Sequence, residues 1–243
     1  MRSPLLIAAL AIGAAPVAAQ TPPPLPPKRE VSVDLNFINK TGNTDITSTG
    51  FGQKFIARPG WRWTLTEYTG FVYGKNNGEV LAESYRAGIN AEMALSAFYG
   101  TYGSVAFERN VFSGLAARYT WSAGFSALLV DVASDKAKFE VGIARISQRA
   151  APSDVVSRFF SGRLAGEYRH NFSPVTYFNG KLEFLPNLRE GEDLRVNGLA
   201  EVVAPISRHI GLRSSYLVQF DRLPEPGKKK TDTTLQTGLQ INF

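Results

Sequence analysis

Few residues in this sequence are of the types that perform acid–base or nucleophilic chemistry. The 243 residues include two histidines, His170 and His209, and no cysteine. Ser173 and Ser207 each lie within three positions of a histidine, so each pair could supply a nucleophile and its general base. Chance neighbours of this kind are far commoner than catalytic pairs, and both pairs fall in predicted turns. We therefore predict no catalytic residue and no enzyme activity.

Metal and cofactor sites have equally little support in the sequence. Two histidines without cysteine do not form a zinc ligand set. Gly50 and Gly52 lack the third glycine and the following helix of a phosphate-binding loop. Glu190 and Glu192 lie in a predicted loop, which indicates that their side chains are simply solvated. A carboxylate-based protease stays an open alternative. We predict no metal and no cofactor.

The charged residues that recur at every second position of extended segments form a more informative set. Because a buried charge is costly unless it is paired or hydrated, both signs on one face of a sheet predict a polar interior. That interior is either a charged constriction that passes small solutes, anions among them, or a hydrogen-bonded plug. The predicted lumen-lining residues are Asp34, Lys54, Arg86, Glu92, Arg118, Glu140, Arg163, Glu167, Arg169, Lys181, Glu183, Arg195, Glu201 and Arg213.

Amphipathic strands must position these charges. From Val31 to Lys40, apolar residues at odd positions alternate with polar residues at even positions, which is the period of a strand with one apolar face. The pattern recurs between turn sequences such as Pro59-Gly60 as far as the C-terminus. It predicts twelve strands: 31–40, a second strand ending at 58, 61–74, 81–95, 97–108, 115–130, 136–149, 155–170, 175–185, 194–204, 210–222 and 233–243.

Two charged residues break this alternation. Glu67 falls on the apolar face of the third strand, so we expect a bulge or a one-residue slip there. Arg145 has the same position in the seventh strand, where it would reach the outer lipid headgroups.

These strands predict an all-β fold, a single closed antiparallel transmembrane β-barrel. Beyond residue 19 no apolar run approaches the ~20 residues of a spanning helix, and only a closed sheet satisfies its backbone in lipid. Aromatic residues cluster near both strand ends, as in the girdles of such barrels. The even-numbered connections are mostly shorter, which predicts periplasmic N- and C-termini. The alternative is a soluble, exported, lipocalin-like binder, which would have the opposite facing.

The two ends of the chain predict export. Residues 1–19 have the basic start, short apolar run and small residues of a signal peptide. Residues 20–30 form a proline-rich periplasmic tail, and residues 31–243 form the barrel. The last residues resemble the C-terminal signal of bacterial outer-membrane barrels, which implies contact with the barrel-assembly machinery through Gln236, Gly238, Ile241 and Phe243. The predicted location is the outer membrane of a Gram-negative bacterium.

Charge also bears on partners. The net charge is +6, but no basic stripe interleaves with aromatic residues, so we predict no nucleic-acid partner. The expected partners are outer-membrane lipids and lipopolysaccharide. Lys228, Lys229 and Lys230, in the last outer loop, could attract its phosphates, although lysine runs in such loops are more often only solvated.

Several short segments resemble the salt-induced outer-membrane protein family, YdiY-like, a domain of unknown function. They are 39–44 (NKTGNT), 112–115 (FSGL) with 118–124 (RYTWSAG), 138–142 (KFEVG) with Gln148 and Arg149, and 166–170 (GEYRH). Ser126 stands where the family usually has a second glycine. The resemblance implies an outer-membrane barrel and supplies no ligand or reaction. The predicted role is a narrow pore or an envelope-integrity protein, with a barrel-embedded hydrolase as the alternative.

Overall fold

Twelve β-strands account for most of the described residues in the computed structural model. The structure describes residues 28–41, 46–76, 79–110, 113–151, 153–173, 175–207, 209–224 and 226–242. The strands are β1 (Arg29–Thr41), β2 (Ile46–Ala57), β3 (Trp63–Asn76), β4 (Glu79–Ala94), β5 (Tyr99–Asn110), β6 (Leu115–Asp131), β7 (Asp135–Ala150), β8 (Val156–Asn171), β9 (Tyr177–Pro186), β10 (Leu194–Pro205), β11 (Ile210–Asp221) and β12 (Thr231–Asn242). The predicted signal peptide, residues 20–27 of the predicted tail and Phe243 lie outside the described residues. Within the described ranges, no helix has the length and apolarity needed to cross a membrane.

The strands form one closed antiparallel barrel. Each strand pairs with its neighbours in sequence, and β1 closes the sheet by pairing with β12 from Ser32–Asn242 to Thr41–Thr233. Closure leaves no edge strand, so the ladder satisfies the backbone groups of the sheet. The predicted twelve-stranded closed antiparallel barrel is confirmed, and predicted and observed strand ends agree to within about two residues.

The barrel is inverted relative to a soluble protein. Large apolar side chains point outward and are exposed, for example Phe37 at 59%, Ile89 at 59% and Phe125 at 65%. Charged side chains such as Glu140 and Arg163 point inward and are only 6% and 7% exposed. Because exposed apolar surface of this extent is unfavourable in water, the facing suits a lipid surround. It is the opposite of the facing expected of a lipocalin-like binder.

The register runs unbroken past both of the residues that disturb the alternation. Glu67 pairs with Phe55 on one side and Ile89 on the other, and β3 shifts register only between Gly74 and Lys75. The predicted bulge or slip at Glu67 is therefore wrong, and its carboxylate stays on the outward face. Arg145 likewise keeps the outward face, between Trp121 and Phe160.

The two ends of the barrel differ in their connections. The near end holds both ends of the described barrel chain, at Arg29 and Asn242, and five connections of three to five residues. The far end holds the other six connections, including the two longest, residues 187–193 and 222–230. We use "near end" and "far end" in this sense below.

Candidate functional site

The interior of the barrel contains a cavity of about 2420 Å³. Its lining extends from Ser134 and Ser173 in near-end turns to Ser84 and Asn110 at the far end of their strands. All fourteen charged residues singled out from the sequence line it, because each lies on the inward parity of its strand. The lining therefore runs through the barrel, and its charges belong to one cavity.

The most densely paired cluster lies around Arg163 on β8. The Arg163 guanidinium donates hydrogen bonds to Glu140 and to Glu183, each at 2.7 Å. Lys138 lies 2.9 Å from Glu140 and 2.8 Å from Glu92 on β4. Such alternating charges compensate one another's loss of hydration. An isolated ion at the same position would have no such compensation.

A second cluster joins side chains from the strands around the closing seam, where β1 pairs with β12. Arg213 on β11 contacts Asp34 on β1 at 2.7 Å and Glu201 on β10 at 2.6 Å. The pair with Asp34 reaches across β12, which lies between these two strands. The side chains thus reinforce the seam that the backbone ladder closes.

The lumen narrows toward the far end, where side chains from opposite walls meet. Gln219 on β11 donates a hydrogen bond of 3.3 Å to Glu108 on β5, and these strands are six positions apart in a barrel of twelve. Glu108 also accepts a hydrogen bond of 3.2 Å from Arg118. A solute that passes this level must therefore pass among polar and charged groups.

The lumen carboxylates and the lumen cations differ in their pairing. Each of the six predicted carboxylates lies within 4 Å of a cationic nitrogen. Among the described residues, Lys54, Arg86 and Lys181 form no such pair, although all three line the cavity. Arg169 packs its guanidinium over the Tyr177 ring at 3.7 Å. The fourteen predicted charges that line the lumen comprise eight cations and six carboxylates, so this set has an excess of positive charge.

Two members of these clusters were missed in the sequence. Lys138 contacts three carboxylates, and Glu108 joins β5 to β6 and β11. Both share the parity of neighbours that point inward, Glu140 and Tyr102, so strand alternation alone could have identified them.

A polar cluster stands on the outward face, among apolar residues. Gln53 donates a 2.7 Å hydrogen bond to the Glu67 carboxylate, and the Thr69 hydroxyl donates to the Gln53 carbonyl at 3.1 Å. The outward neighbours of Glu67 across the ladder are Phe55 and Ile89. The cluster satisfies its own polar groups, which explains how an acid keeps this position without a change of register.

Among the described residues, neither histidine forms a hydrogen bond with a serine. His170 Nδ1 lies 2.8 Å from Asp135, which also accepts a hydrogen bond from the Ser134 hydroxyl. The Asp135 carboxylate therefore lies between the Ser134 hydroxyl and the His170 imidazole. In a hydrolytic triad the imidazole holds the central position. Ser173 and Ser207 accept hydrogen bonds from backbone amides of their own turns. His209 is exposed in the turn between β10 and β11.

The remaining predicted contact residues lie at the ends of the last hairpin. Lys228, Lys229 and Lys230 lie in the far-end connection from β11 to β12. Gln236 lines the lumen, while Gly238 packs against the backbone of Leu35 and Asn36. Across the described ranges no group of three or more potential metal ligands comes together.

Comparison with solved structures shows similarity to bacterial outer-membrane barrels. The NanC porin aligns with a TM-score of 0.56 at 10% identity, over 86% of this chain and 98% of that chain. An outer membrane channel from Pseudomonas putida F1 aligns with a TM-score of 0.55 at 11% identity, over 90% and 97%. The KdgM porin in complex with disordered oligogalacturonate has a TM-score of 0.50 at 9% identity, over 87% and 99%. At these identities the likeness establishes the fold alone.

Sequence comparison identifies the family. No protein of curated function matches the chain. The model of a family described as "Protein of unknown function, DUF481" matches residues 33–243, which is essentially the whole barrel from β1 to the last residue. The chain therefore belongs to the DUF481 family.

Proposed function

We propose that this protein is a narrow, water-filled pore for small anionic solutes in the outer membrane of a Gram-negative bacterium, and that it is not an enzyme. The outward apolar face, the closed sheet and the sequence signals for export support the location. The similar folds named above belong to outer-membrane channels and porins, which agrees with it.

The observation that carries the proposal is the imbalance of pairing in the lumen. Each predicted carboxylate lies within 4 Å of a cation, whereas Lys54, Arg86 and Lys181 have no carboxylate within 4 Å among the described residues. A low-dielectric wall with excess positive charge concentrates anions and excludes cations. The KdgM porin was solved with an oligogalacturonate, which is an anionic carbohydrate. For this chain, the proposal of anion selectivity rests on the charges of its own lumen.

Planar-bilayer recording tests the proposal. Purified protein in a salt gradient is expected to give discrete conductance steps with a reversal potential of anion selectivity. Replacing the three unpaired cations, Lys54→Gln, Arg86→Gln and Lys181→Gln, should lower the anion preference several-fold, because the predicted lumen charges that remain, five cations and six carboxylates, nearly cancel. Arg222→Gln, an exposed arginine just beyond β11, is the matched control and should leave selectivity unchanged. Cation selectivity of the native protein would contradict the proposal.

A structural role in envelope integrity is the second candidate, and the contact between Glu108 and Gln219 supports it. That contact crosses the lumen, and with the ion-pair clusters it could act as a plug that stiffens the barrel. The same recording separates the two roles. A bilayer that stays silent with correctly folded protein favours the plug, and a Gln219→Ala variant that then conducts would locate it.

A further inference from the structure

Three outward-facing arginines form a patch at the far end of β7 and β8. Arg145 and Arg149 lie on β7, and Arg158 lies on β8 opposite Ser147. All three side chains are exposed, and Arg158 is the diagonal neighbour of both Arg145 and Arg149 on one face of the sheet. We propose that this patch, the β7–β8 arginine patch, binds the phosphate groups of lipid A in the outer leaflet. The inference rests on the proposed outer-membrane location.

The depth of the patch matches a lipid headgroup. The outward residues Phe139 and Tyr168 mark the near end of the apolar band on these two strands. Arg149 and Arg158 each lie ten residues farther along, which is about 25 Å for a tilted strand and equals the height of the band. Arg145 lies about 15 Å above Phe139, and its long side chain can extend toward the same level.

The charges of the patch are poorly compensated by the protein itself. Among the described residues, Arg145 and Arg158 form no ion pair, and Arg149 contacts only Asp154, at 3.8 Å. Three cations held this close repel one another, and in a membrane they have little solvent screening. An anion that bridges them removes this cost. Phosphate suits arginine, because the guanidinium fork binds two of its oxygens at once.

Aromatic residues border the patch on its membrane side. The Arg145 guanidinium lies over the Phe160 ring at 5.2 Å, and Trp121 is its cross-strand neighbour on β6. These rings give the acyl chains of a lipid an apolar surface just below the phosphates. The combination favours an amphipathic ligand, a phosphorylated lipid, over free phosphate.

Trp121 offers a local reporter of binding. The chain has three tryptophans, and the other two, Trp61 and Trp63, lie at the near end. In a Trp61→Phe/Trp63→Phe background, titration with bisphosphorylated lipid A in detergent micelles should change the Trp121 emission saturably. The same lipid with both phosphates removed should bind at least tenfold more weakly, and inorganic phosphate should not compete at equal concentration.

The variants tie the signal to the patch. Arg145→Gln/Arg149→Gln/Arg158→Gln should weaken lipid A binding at least tenfold. Arg109→Gln, which removes an outward arginine of β5 paired with Glu83, should change it less than twofold. If the triple variant does not fold, Arg158→Gln alone should weaken binding several-fold, since it has no described ion pair to lose. Equal binding of the dephosphorylated lipid, competition by inorganic phosphate, or unchanged affinity in the variants would each overturn the proposal. Channel conductance is measured separately, so failure here leaves the pore proposal standing.

Discussion

At the scale of single residues, the pattern of pairing explains how so many charges coexist in one barrel. Arg163 forms ion pairs with both Glu140 and Glu183, and it also packs against the Tyr102 ring at 4.8 Å. Removing one member of such a cluster would leave its partners charged and uncompensated, at a cost of about 3–5 kcal/mol. Replacing a cation that lacks such a partner leaves no carboxylate uncompensated, and its charge is available to solutes.

The outward pair of Gln53 and Glu67 leads to a prediction about stability. Gln53→Val should lower the free energy of unfolding by about 1–3 kcal/mol, because the Glu67 carboxylate loses its hydrogen-bond donor in an apolar surround. The double variant Gln53→Val/Glu67→Val should be at least as stable as the native protein, because no unpaired polar group remains. Urea unfolding of protein folded in lipid vesicles, followed by tryptophan fluorescence, gives both values.

The control for this pair is Thr101→Val, an outward substitution on β5 that should be close to neutral. If the double variant is less stable than Gln53→Val alone, the Glu67 side chain stabilises the barrel by more than its hydrogen bond with Gln53, and the prediction is contradicted.

At the scale of the strands, closure depends on the approach of β12 to β1. Gly238 lies opposite Asn36, and a Cβ at this position would meet the carbonyl oxygen of Leu35 and come within 2.7 Å of the Asn36 Cα. The glycine was singled out in the sequence as part of an assembly signal. The geometry adds a second reason for it, because the seam leaves no room for a side chain.

Gly238→Ala should therefore impair folding even where no assembly machinery is present. We expect a loss of about 1–3 kcal/mol from overpacking, and a smaller fraction of barrel that resists unfolding in detergent at room temperature. Refolding from urea into detergent, read by the mobility of heated and unheated samples in gels, measures that fraction. Gly103→Ala is the matched control, since a Cβ there meets nothing within 4 Å. Normal refolding of Gly238→Ala would mean that this glycine matters only for contact with the barrel-assembly machinery.

At the scale of the whole molecule, the longest connections gather at one end. Residues 187–193 and 222–230 join strands at the far end, opposite the ends of the described barrel chain. Bacterial barrels have short periplasmic turns and longer outer loops. We therefore expect the far end to face the outside of the cell and the near end to face the periplasm.

Single cysteines test this orientation cleanly, because the chain contains none of its own. Lys229→Cys, in the far-end connection 222–230, should react with a membrane-impermeant maleimide on intact cells. Ala97→Cys, in the near-end turn between β4 and β5, should react only after the outer membrane is permeabilised. Both residues are exposed, so a difference in labelling reports sidedness rather than burial. The reverse pattern would contradict the predicted orientation.

The number of strands, their approximate ends and the face on which each side chain lies follow from the sequence alone. Alternation is a local property: in an extended chain, a residue two positions along faces the same side whatever its neighbours do. This is why all fourteen lumen charges could be named without knowing the pairing, and why Lys138 and Glu108 were within reach of the same reasoning.

Which of these charges meet depends on the closed, three-dimensional arrangement of the strands. Arg213 reaches Asp34, which is 179 positions away in sequence, and Glu108 meets Gln219 across the lumen, because closure and register set those distances. The same is true on the outside of the barrel. The sequence showed Glu67 as an exception and predicted a bulge or a one-residue slip, whereas the fold places Gln53 on the adjacent strand, where it donates a hydrogen bond to Glu67. A local alternation pattern contains no information about cross-strand partners.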